Sequence, residues 1–213
     1  MRNLTTTLCL TFAVLLGSVG NSESAFAENN LFVQIKLKNG ISFVLPRNWK
    51  IIDNNTKTTL EASVASRIKL PINTSLPFAA NLYNHKNSTV AMVNVRIYPE
   101  MDVYQRDVSA LNKQSVNDFD KELKINITDG VRPLGIEVTN WYGTKIVRIN
   151  GKFFLSTQYR RTSAIDPLKY FRVNLVRLLD GKHSYTLTVS YEEGSGYLLK
   201  PIIEKIRHSI KSP

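Results

Sequence analysis

"HSYTLTVSYEEGSGYLLKPIIEKIRHSIK", residues 183–211, changes its hydrophobic period partway along. As far as Tyr191 the apolar side chains take alternate positions (Tyr185, Leu187, Val189, Tyr191), with Thr186, Thr188 and Ser190 between them. That is the period of a strand with two unlike faces. After "EEGSG" the apolar residues are Leu199, Ile202, Ile203, Ile206 and Ile210, spaced as one stripe of a helix. Proline is accepted without loss only in a first turn, so Pro201 predicts a helix beginning near Lys200. A strand, a glycine loop and an amphipathic helix in succession point to helices packed on a sheet.

The same reading extends towards the N-terminus. Phe171, Val173 and Leu175 share one parity of the strand before Asp180-Gly181. If one face of this strand pair is buried, the apolar residues of both arms lie opposite each other, which requires a three-residue loop or a bulge at Gly181. Strands are predicted at 134–141, 144–149 and 152–161, the last two joined at Asn150-Gly151. Val108, Leu111, Val116, Phe119 and Leu123 recur at helical spacing, which predicts a helix over 104–124, with Asp129-Gly130 turning the chain back into strand. Residues 79–85 and 89–98 read as strands, and 57–68 fits strand or helix. The segment 67–88, with Pro71 and Pro77, reads as a loop over a ligand site or as a plain connection. Near the start, 32–37 and 41–45 alternate around Asn39-Gly40, a hairpin signal. Pro46 removes a ladder donor and ends the second arm, and Trp49 is expected as an aromatic lid on the core.

Residues 1–27 have the form of an export signal: Arg2, then a largely apolar stretch over 8–19, then small residues at Ala25 and Ala27. The stretch is shorter than the roughly 20 residues that span a bilayer. Cleavage after Ala27 is expected, leaving 28–213 as one domain without a transmembrane span. Removing 27 of the 213 residues leaves 186, enough for a core of its own. Arg2 and Glu23 leave together, so the remainder keeps 27 of the 28 basic and 16 of the 17 acidic residues and the same net charge, +11. The single cysteine, Cys9, lies in the leader, which excludes disulfides, thiol catalysis and cysteine metal sites from the mature part. The expected location is periplasmic or secreted.

Two stretches resemble the PsbP/Mog-like superfamily. "ISFVLPRNW" (41–49) resembles its opening strand ending in Leu-Pro-x-x-Trp, and 183–211 resembles its final strand, glycine loop and closing helix. The chain reads as a secreted bacterial member. The resemblance implies an α+β fold, a mostly antiparallel sheet flanked by helices in an α/β/α sandwich. It implies binding to larger partners, and it brings no shared active site to carry over.

The search for chemistry is nearly empty. His85, His183 and His208 lack a second ligand at zinc spacing, no G-x-S-x-G occurs, and "GSG" at 194–196 lacks the surroundings of a phosphate loop. Glu192 and Glu193 are neighbours on a strand end and point apart. No catalytic residue, cofactor or metal is expected. The remaining signal is basic: arginines on the later strands interleaved with tyrosines. Arg148, Arg160, Arg161, Arg172 and Tyr170 are the candidates for binding an anion or a partner. The expected function is a non-catalytic exported accessory protein of the cell envelope that holds a protein partner. The alternative is an electrostatic adaptor for anionic lipid or lipopolysaccharide. Specific nucleic-acid binding is not expected of an exported chain.

Overall fold

The computed structural model describes residues 31–65, 74–99, 103–181 and 183–212. The expected leader and its cleavage point lie outside the described residues, as do positions 67–73 of the 67–88 segment. The rest of that segment is a strand and its turn.

Among the described residues, seven strands form one antiparallel sheet: β3 (Lys50–Ile51), β4 (Ser75–Tyr83), β5 (Thr89–Pro99), β6 (Val138–Ile149), β7 (Lys152–Thr162), β8 (Tyr170–Leu179) and β9 (His183–Glu192). Their spatial order is β3-β4-β5-β9-β8-β7-β6, so the closing strand β9 lies between β5 and β8. Pro77 lies near the start of β4 where the register slips between Ser75 and Phe78, a place where a missing donor is tolerated. β1 (Phe32–Lys36) and β2 (Ser42–Pro46) form the expected hairpin as a separate two-stranded sheet. Pro46 is the last residue of β2, and Trp49 is buried in the core.

Both faces of the large sheet are covered. On one, α4 (Gly196–His208) and the β1–β2 hairpin pack on β4, β5, β8 and β9. Leu199, Ile203 and Ile206 meet Val93, Val95, Leu187 and Val189 there. Each such side chain contributes about 1.5–3 kcal/mol by leaving water. The hairpin is tied to the chain beyond α4. Ser42 and Lys211 exchange backbone hydrogen bonds of 2.9 and 2.7 Å, and Val44 N–H donates to Ser209 Oγ at 2.8 Å. On the opposite face α3 (Lys113–Val131) sets Leu123, Ile127 and Val131 against Tyr159, Val173 and Leu175. Trp141 stacks on Tyr159 at 5.4 Å and donates to the Asp120 carboxylate of α3 at 3.0 Å. α2 (Gln105–Ser109) adds Val108 against Leu155 and Leu179, and α1 (Asn54–Ala65) brings Glu61 to within 3.6 Å of Arg96, which is buried on this same face.

Coverage of both faces explains the largest departure from expectation. β8 and β9 pair Val173 with Ser190, Leu175 with Thr188 and Leu179 with Ser184. The connection is therefore of even length, and Asp180 N–H donates to the His183 carbonyl at 3.2 Å. Phe171, Val173 and Leu175 face α3, whereas Tyr185, Leu187, Val189 and Tyr191 face α4. A sheet buried on both sides offers two places for apolar residues, so parity alone does not set the register.

Other boundaries moved for local reasons. The helix expected over 104–124 is broken at Asn112, whose Oδ1 accepts from Ser115 N–H at 2.8 Å and caps α3. α3 runs on through Asp129-Gly130 to Val131 and gives way to a 3-10 turn, Arg132–Leu134, so β6 starts at Val138. The two strands expected at 134–141 and 144–149 are one, with a bulge at Gly143, φ +91°. The ambiguous 57–68 is helical as far as it is described. α4 starts four residues before the expected Lys200 and continues through Pro201 on its exposed side.

At the end of the sheet where β6 and β7 turn, the β7–β8 ladder stops at the pair Leu155–Arg177. The Gln105 side chain takes over beyond it. Its amide donates to the Leu179 and Phe153 carbonyls at 2.9 and 3.1 Å, and Oε1 accepts from Phe153 N–H at 2.7 Å. The neighbouring Tyr104 ring lies against Gly181 so closely that an added Cβ would overlap it.

Candidate partner-binding end of the sheet

The opposite end gathers the start of β5, β6 and β8, the finish of β7 and β9, and the first turn of α4. Arg160 of β7 and Arg172 of β8 are direct cross-strand partners on the α4 face, an arrangement that like charges destabilise. Glu193, in the 3-10 turn between β9 and α4, resolves it. Arg160 Nε donates to Glu193 Oε2 at 2.8 Å, and Arg172 Nη2 to Oε1 at 2.8 Å. Each guanidinium also lies over a ring, Arg160 on Tyr170 at 3.6 Å and Arg172 on Tyr142 at 4.0 Å. One carboxylate thus ties three strands and the start of α4 into a rigid knot. Its neighbour Glu192 points the other way, towards Lys169 at 3.6 Å.

The five candidate residues therefore fall into three places. Arg160, Arg172 and Tyr170 come together. Arg161, next to Arg160 in the chain, points through the sheet to the α3 face and is 5% exposed. There its Nη1 donates to the Thr162 carbonyl at 2.9 Å and its guanidinium lies 5.3 Å from the Phe171 ring. Arg148 is exposed near the far end of the sheet, over Phe153.

The same end also exposes apolar residues. The β7–β8 loop exposes Ile165 (72%) and Leu168 (84%), and the first turn of α4 exposes Tyr197 (81%) and Leu198. Tyr142, on the bulge of β6 against Arg172, is half exposed at the same end. Only "AIDPLK", two apolar residues in a turn-rich loop, carried a signal of this in the sequence. Among the described residues no His, Cys, Asp and Glu side chains gather as a metal site requires, and no helix is long and apolar enough to cross a membrane.

No protein-family model and no curated protein sequence matches the chain. Solved structures do. The solution structure of cyanobacterial PsbP from Synechocystis sp. PCC 6803 is similar over 90% of this chain and 98% of that one, with a TM-score of 0.55 and 10% identity. The crystal structure of LpqN, involved in cell envelope biogenesis of Mycobacterium tuberculosis, covers 85% of this chain and 91% of its own, with a TM-score of 0.47 and 9% identity. The Saccharomyces cerevisiae Ran-binding protein Mog1p covers 84% and 94%, with a TM-score of 0.44 and 10% identity. The sheet sandwiched between helices that the opening and closing stretches implied is present, and the chain has the PsbP/Mog-like fold.

Proposed function

We propose that this chain is an exported, non-catalytic accessory module of the cell envelope whose β7–β8 loop end holds a protein partner. The observation that carries the reading is the concentration of exposed Ile165, Leu168, Tyr197, Leu198 and Tyr142 at one braced end of the sheet. Exposed apolar residues gathered in one place mark interaction sites, and tyrosine and arginine are the residues interfaces favour. Both arginines of the knot already bond the one Glu193 carboxylate, which leaves a net charge of only +1 there, so an apolar contact with a protein suits this end better than attraction to an anionic surface. Removal of the leader after Ala27 and a periplasmic or secreted location belong to the same proposal and rest on the leader-like residues 1–27.

The test is capture of envelope proteins on the tagged chain at low and high salt, with the Ile165→Asp/Leu168→Asp double variant beside the wild type. One protein retained at high salt by the wild type and lost by the variant is the expected result. Retention by both would move the contact elsewhere. Binding that requires anionic lipid and disappears with salt would replace the reading with the electrostatic adaptor.

A further inference from the structure

A cavity of about 340 Å³ opens on the α3 face at the same end, between the β4–β5 turn and the β7–β8 loop. It lies within the size of small-molecule sites, roughly 300–1,000 Å³. Met92, Phe171 and Ile165 supply apolar wall, and Ser88 and Thr89 supply hydroxyls. Arg161 lines it too. We propose that this cavity binds a small organic oxyanion, a phosphate or carboxylate carrying a short apolar group, with Arg161 as its anchor.

The argument starts from an unbalanced charge. Buried cations are normally paired with an anion, because leaving water without one is costly. Among the described residues no carboxylate makes an ion pair with Arg161. Its polar partner there is the Thr162 carbonyl, one acceptor for a group with five donors. Burial lowers its basicity, and the neighbouring Tyr159 phenol, itself neutral until about pH 12, supplies no counter-charge. A guanidinium nevertheless stays protonated and presents a planar fork that fits carboxylate and phosphate alike. The cavity's own acid does not fill this role. Asp166 accepts from Leu168 N–H at 3.0 Å within the loop turn, and the other cation, Lys169, is occupied by Glu192 at 3.6 Å. Arg161 is thus an anchor awaiting an anion, and the apolar wall behind it selects against a bare inorganic ion. This site goes beyond the partner face: its ligand is small and its test uses no partner, so either reading can fail alone.

Calorimetric titration of the full chain with hexyl phosphate, hexanoate and hexylamine tests it. At least one of the two anions binds and raises the melting temperature, and the stronger of them names the class; hexylamine does not bind. Arg161→Met weakens binding by roughly ten- to a hundredfold, the worth of a charge-assisted pair. The same variant melts no lower than wild type, because an unpaired buried charge has been removed. Should it fail to fold, Thr89→Trp keeps Arg161, narrows the cavity and abolishes binding. The proposal is overturned if neither anion binds at about 10 mM, if hexylamine binds as well as they do, or if both variants retain wild-type affinity.

Discussion

The two ends of the large sheet solve opposite problems. At the end where β6 turns into β7, a single side chain, Gln105, finishes the ladder that β7 and β8 leave open, and Tyr104 covers Gly181. At the other end the strands are braced from one face by Glu193, while the loops project apolar side chains and enclose a cavity on the other. Backbone satisfaction is completed at one end so that polar and apolar groups can stand exposed at the other. If the loop end holds the partner as proposed, stability and recognition are separated along the strands, and substitutions should divide in the same way.

The broadest test is alkaline pH, since it acts on both regions at once. Burial pushes the Tyr159 phenol, beneath α3, up to about 12. Tyr185, near the Gln105 end, is pushed up to about 12 by burial first and then by the Asp180 carboxylate. A phenol held neutral in the folded state adds stability that is present below pH 10 and lost as pH rises from 10 to 12. Tyrosinate absorbance should therefore appear together with loss of the circular-dichroism signal. Ionisation of both groups in a chain that keeps its native signal would break the assignment.

Gln105→Ala should cost about 3 kcal/mol in denaturant unfolding, because it orphans one backbone donor and two acceptors together. Glu193→Ala leaves Arg160 and Arg172 facing each other and should cost about 1–2 kcal/mol, with partner capture weakened as the knot loosens. Gly181→Ala must hold φ +87° with a side chain and displace the Tyr104 ring, which is partly exposed and can yield; about 1 kcal/mol is expected. Leu168→Ser lies at the bottom of the scale, within about 0.5 kcal/mol of wild-type stability. It should still reduce capture. A loss of stability from Leu168→Ser comparable to that from Gln105→Ala would erase the distinction between the ends.

Much of the architecture could be read from periodicity. The first hairpin, the strand ending at Pro99, the helix around Leu123 and the closing helix all announce themselves by spacing and by Asn-Gly or Pro punctuation. What escaped depended on neighbours. The β8–β9 register is decided by helices on both faces, and one of them, α3, comes from well before these strands in the chain. The break at Asn112 turns on one side chain choosing its backbone partner. The arginines were visible as candidates, but which of them meet was not, because Arg160 and Arg161 are adjacent in sequence and on opposite faces of the sheet. Glu193 could be seen as a strand-end acid, not as the group that binds two strands to a helix.

The bridge between Ser42 and Lys211 has a consequence for the order of events after synthesis. Ile41, Phe43 and Leu45 find their cover in Leu199, Ile203, Ile206 and Ile210, more than 150 positions later. Until the ribosome has made those residues, this face of the sheet lacks the helical part of its cover, and the contacts between the two carry a long loop-closure penalty. The α4 face of the sheet is therefore completed only once α4 has been made. A chain stopped before Leu199 would leave the first hairpin its contact with the sheet, Phe43 against Phe78 at 5.2 Å, but not its cover from α4.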